Sequence, residues 1–119
     1  MNPILREAFN KEMKIAKELY LTQNWDEAFS HLEIAHILGQ RNAIPHTINH
    51  WWMLKIGIRK KDRKEIIGQV IRLLVAGIGS LLGRAPIGNT GGANLGILTP
   101  LPITDEVAEI FIKANLQIR

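Results

Sequence analysis

Residues 3–39 read PILREAFNKEMKIAKELYLTQNWDEAFSHLEIAHILG, and the spacing within them decides the fold. Ile4, Leu5, Phe9, Met13, Ala16, Leu19 and Tyr20 recur at three- and four-residue intervals, which places them on one stripe of a helix predicted over 3–21. Asn24 stands three residues before Glu27, the pattern of an N-cap with a carboxylate at N3. Ala28, Leu32, Ala35 and Leu38 then carry an apolar face to Gly39, so a second helix is expected over 25–39, antiparallel to the first.

Working outward, Pro45 suits a first helical turn, and a third helix over 45–58 should carry His46, His50, Met53 and Leu54 before Gly57 ends or weakens it. Asp62 and Glu65 repeat the capping pattern for an Ile/Leu/Val-rich fourth helix over 62–82. Pro86, Gly88, Asn89, Gly91, Gly92, Gly96, Pro100 and Pro102 cannot sustain a helix, so 84–103 is expected to be a long loop. Thr104 should cap a short last helix over 104–117, with Asp105 and Glu106 at its positive end and Val107, Ile110, Phe111 and Leu116 available to dock. The expected architecture is all-α and a single domain over 1–119. It consists of two antiparallel helical hairpins in a repeat-like four-helix arrangement, plus the Gly/Pro loop and the C-terminal helix.

Composition narrows the function. The 119 residues include no cysteine, which excludes disulfides, thiolate metal sites and cysteine nucleophiles and leaves nitrogen and oxygen as the ligands of any metal. The net charge is +4, but the basic run from Arg59 to Lys64 reads as a solvated turn between helices; without a wider basic face and interleaved aromatics, no nucleic-acid partner is expected. The apolar run from Ile66 to Leu82 is interrupted by Gln69, Arg72 and three glycines, so no membrane span is expected. The opening MNPILREAFNKEMK has no apolar signal-type stretch, and a cytoplasmic location follows as an expectation.

All four histidines fall within twenty residues, His31 and His36 on the second helix and His46 and His50 on the third. His46 and His50, four apart, share a helix face and can chelate one ion. Glu33 and His36 form a Glu-x-x-His unit of the kind that supplies a carboxylate and an imidazole to metal sites in helical bundles. It occurs once, with Glu65 and Glu27 as the other candidate carboxylates, which favours a mononuclear site over a bridged pair. His31 and His36 are five apart and diverge around the helix, so one of them should be structural or exposed.

If the second and third helices are antiparallel, residues equally far from the turn near 40–43 face each other, and His36 meets His46 or His50. The candidate metal residues are therefore His36, His46 and His50, with Glu33, His31 and Glu65 behind them. Such a set suits a divalent transition metal: zinc, iron, nickel or copper. The alternative is that the imidazoles are interior polar groups hydrogen-bonded to Gln40, Asn49, Gln69 or each other. On that reading the chain is an interaction module with structural histidines, docking a partner protein or a second copy through an apolar patch. Acid–base chemistry with His50 as base is a third reading, and no nucleophile or oxyanion arrangement in the sequence supports it. Whether the protein is an enzyme stays open. The stretch from Gly88 to Gly92 can form an anion-binding nest near Arg84, but it has neither the lysine of a Walker motif nor the dinucleotide fingerprint, and it reads as a structural loop.

Two resemblances add to this. Ala16, Leu19, Ala28, Leu32 and Ala35 resemble the small-and-large pattern of a tetratricopeptide repeat, and the segment 24–28 laid over 62–66 gives a weak internal repeat. The stretch from His31 to Gln40, together with His46, His50 and the Gly88–Gly92 segment, resembles a bacterial family catalogued as domain of unknown function 3703. That resemblance covers most of the chain. It implies a bacterial, cytosolic setting among heavy-metal resistance functions and carries no established activity.

Overall fold

A computed structural model describes residues 1–81 and 104–114, with side chains through residue 75 and again over 104–114. These residues form five helices: α1 (Pro3–Leu21), α2 (Trp25–Gly39), α3 (Ala43–Lys60), α4 (Arg63–Leu81) and α5 (Asp105–Lys113). There is no strand among the described residues, and the fold is all-α. Each helix packs on the next through α4, and α5 returns to α1.

The apolar stripes form the core as their spacing requires. Leu5, Phe9, Met13 and Ala16 of α1 meet Ala28, Leu32, Ala35 and Leu38 of α2, with Met53 and Ile56 entering from α3 and Val107 and Phe111 from α5. Ala16, Ala28 and Ala35 are buried, and their short side chains let α1 and α2 approach closely. Asn2 ties two ends together, because its Oδ1 accepts from the Ile4 amide at 2.9 Å while its Nδ2 donates to the Ala114 carbonyl at 3.0 Å. Thr104 caps α5 through the Val107 amide.

Three details differ from the sequence expectation. Asn24 precedes α2 as expected, yet its side chain donates to Thr22 Oγ1 at 2.8 Å and leaves the helix start without a side-chain cap. The helix α3 begins at Ala43 rather than 45, and it runs through Gly57 to Lys60 rather than stopping at 58. Gly57 is buried against α4, where a Cβ would sit 3.4 Å from Glu65 Cβ, and tertiary packing overrides its low helix propensity. The stop comes instead at Lys61, whose φ of 56° is left-handed, followed by an Asp62 amide that donates to the Gly57 carbonyl at 3.0 Å. Asp62 Oδ1 accepts from the Glu65 amide at 3.1 Å and starts α4. The basic run from Arg59 to Lys64 is exposed at this turn, and Lys60 pairs with Asp26 at 2.6 Å. The predicted loop 84–103, including Gly88–Gly92, and the last turn of the helix expected to end at 117 lie outside the described residues. No helix is long and apolar enough to cross a membrane among the described residues.

Candidate metal centre

The turn at 40–42 folds α3 back on α2, so that His36, five residues before Arg41, faces His46, five residues after it. His50 follows one helical turn later on the same face of α3. All three side chains are buried, and their Nε2 atoms converge. His36 and His46 are 2.8 Å apart, His36 and His50 3.1 Å, and His46 and His50 3.1 Å. The rings pack edge to face or tilted, with centroids 4.6 to 4.8 Å apart, so the nitrogens meet at a point and the rings do not stack. Among the described residues these three form the cluster able to hold an ion.

Hydrogen bonding cannot satisfy this triangle. A neutral imidazole nitrogen either carries a proton and donates or carries a lone pair and accepts. In a three-membered ring at least one contact must then join two donors or two acceptors. One cation that receives three lone pairs removes the conflict. With metal–nitrogen bonds of about 2.0–2.1 Å, three nitrogens on one ion would lie roughly 3 Å from one another, as these three do.

The protonation of His50 is fixed from behind. Its Nδ1 lies 2.6 Å from Gln69 Oε1, and Gln69 Nε2 donates to Glu65 Oε2 at 2.8 Å. A carboxylate cannot donate, so the amide nitrogen must face Glu65, the amide oxygen must face His50, and Nδ1 of the neutral ring carries the proton. The His50 Nε2 lone pair is thereby left for the centre of the triangle. Burial pushes the His50 pKa down from 6.5 to about 4; the Gln69 hydrogen bond opposes the shift and the charge of Arg72 adds to it. At neutral pH the ring is uncharged, as a metal ligand must be. Arg72 is itself buried nearby on α4.

The remaining candidates stand further out. His31 points to α1, where its Nδ1 meets Glu12 Oε2 at 2.5 Å. Glu33 and Glu65 line a cleft of about 220 Å³ together with Asp26, Asp62 and Lys60, and Glu65 reaches the centre through Gln69. Asn49, weighed as a histidine partner, donates instead to the Leu32 carbonyl at 2.8 Å. Sequence reasoning missed Glu12. Its signal was a glutamate lying between Phe9 and Met13 within the apolar stripe of α1.

No curated protein and no solved structure matches the chain. A family profile described as "Protein of unknown function (DUF3703)" matches residues 4–111, a span that contains all but the first residue of α1, the whole of α2 to α4 and every candidate ligand. The chain therefore belongs to the DUF3703 family.

Proposed function

We propose that this protein binds one divalent transition metal through His36, His46 and His50, either to handle the metal or to use it in catalysis. The observation that carries the reading is the triangle of Nε2 atoms 2.8–3.1 Å on edge, a contact set that protons cannot satisfy and a single cation can. Zinc, iron, nickel and copper(II) all accept three imidazoles. Three protein nitrogens leave coordination positions for water, a carboxylate or a substrate, the condition that separates an exchangeable or catalytic site from a closed structural one.

The interaction-module reading rests on a different surface. Ile44, Ile48, Trp51 and Ile58 are exposed along one face of α3, and Ile67, Val70, Ile71 and Leu74 along α4. That reading expected dispersed histidines, whereas His36, His46 and His50 converge and only His31 stands apart, so the metal reading stands first.

Elemental analysis of untagged protein purified without chelator tests it, alongside His46→Ala and His50→Ala. Near-stoichiometric metal in the native chain, lost in both variants, is the expected result. A folded native chain that carries no metal and rejects added zinc, iron, nickel and copper overturns it.

A further inference from the structure

A hydrogen-bonded chain runs from His50 out to a carboxylate: Nδ1 to Gln69 Oε1 at 2.6 Å, then Gln69 Nε2 to Glu65 Oε2 at 2.8 Å. Gln69 is fully buried and Glu65 is half-buried at the edge of the acidic cleft. The backbone of Glu65 is fixed in turn, because its amide donates to Asp62 Oδ1 at 3.1 Å at the start of α4. Glu65 and Gln69 are four residues apart on one face of that helix.

We infer that Gln69 and Glu65 are positioning residues of the metal centre, selecting the His50 tautomer and aiming its Nε2 lone pair at the ion. The inference rests on the metal reading above and adds a role for α4, which supplies no ligand of its own to the triad. A neutral imidazole in water exchanges between two tautomers, and only the one with Nδ1 protonated presents Nε2 to the centre. A fixed acceptor at Nδ1 removes the wrong tautomer and locks the ring plane. A carboxylate behind the amide polarises the chain, so that the Gln69 oxygen accepts more strongly and the imidazole becomes a better donor to the ion. Gln69 cannot rotate its amide without turning its nitrogen toward the His50 N–H and its oxygen toward the carboxylate, so Glu65 sets the direction of the whole chain.

The test uses the full chain and two readouts. Nitrogen-15 correlation spectra of the metal-free protein report which His50 nitrogen carries the proton, and zinc titration reports affinity. The native chain should show Nδ1–H at His50. Gln69→Leu should lose that single tautomer and bind zinc about 10- to 100-fold more weakly, with helix content retained. Glu65→Leu, at a half-buried position, should shift both readouts in the same direction. The double exchange of Glu65→Gln with Gln69→Glu moves the carboxylate next to His50 and the amide behind it, and should restore both. Native tautomer and native zinc affinity in Gln69→Leu and Glu65→Leu would overturn the inference, as would weakened zinc binding with the tautomer unchanged. Because the tautomer is read without metal, failure of the chain to bind zinc sinks the metal reading and leaves the relay separately tested.

Discussion

The Nε2 atoms of His36 and His46 lie 2.8 Å apart across the α2–α3 turn, and His50 stands 3.1 Å from each. Three buried imidazoles held at this separation without an ion keep at least one contact in which no proton lies between two nitrogens, or two protons do. The metal-free fold therefore carries a destabilising contact that binding removes.

Metal binding should raise thermal stability. Zinc at a free concentration 100-fold above its Kd stabilises a single-site protein by about 2.7 kcal/mol. For a chain of this size that corresponds to an increase in Tm of roughly 10 °C. Calorimetry with and without zinc, repeated on His36→Ala, measures it. A native chain whose Tm ignores zinc, or a variant that gains as much as the native chain, contradicts the assignment of His36.

His31 should be dispensable for metal and needed for stability. Its partner is Glu12, and the pair joins α1 to α2. His31→Ala leaves the nearly buried Glu12 carboxylate without that partner, at a cost of about 1–3 kcal/mol. Urea denaturation should show the loss while zinc stoichiometry stays unchanged. Loss of metal in this variant would place His31 in the site.

The contrast between His31 and His36 shows how far the sequence could be read. Helical stripes and the short turn between α2 and α3 were visible as spacing, and equal distance from that turn sufficed to bring His36 against His46. The divergence of His31 from His36 followed from the helical angle alone. Its partner did not, because Glu12 and His31 meet across two helices, and the spacing that puts Glu12 on the buried stripe of α1 does not say what it meets there. The direction of the Gln69 amide was likewise invisible, since it depends on what sits at both ends of the side chain. Gly57 was read as ending or weakening the helix, which was expected to stop at 58 and runs to Lys60, because glycine's low propensity is local while the packing of α3 on α4 that overrides it is not.

Acid should destabilise the metal-free protein through His50. Its folded pKa of about 4 lies below the 6.5 of the unfolded chain, so between these values the unfolded state binds more protons. The contribution is fully present above pH 6.5 and is lost as pH falls toward 4. With a difference of about 2.5 pKa units, the loss amounts to about 3 kcal/mol. Stability measured by denaturant at a series of pH values should show this slope in the native chain, and the slope should be reduced in His50→Gln. An identical pH dependence in the two proteins would show that His50 does not titrate as described.

The two described buried glycines should respond to alanine with opposite sign. At Gly57 a Cβ would meet Glu65 at 3.4–3.5 Å, an ordinary contact, inside the continuous helix α3. Gly57→Ala should therefore stabilise by about 0.5–1 kcal/mol, the gain in helix propensity. At Gly39 the same atom would lie 2.9 and 3.0 Å from the ring carbons of Phe9 and 3.3 Å from Pro45 Cβ. Phe9 is itself held in the core, so the ring cannot simply swing away, and overpacking should destabilise by about 1–3 kcal/mol. The effect should reach the metal centre, because Gly39 ends α2 three residues after His36 and Pro45 precedes His46 directly. Pushing these two residues apart displaces one ligand from the other. Zinc affinity should thus fall in Gly39→Ala and hold in Gly57→Ala, and paired denaturation and zinc titration of the two variants decide it. Equal affinities would mean that the α2–α3 turn yields without moving the histidines.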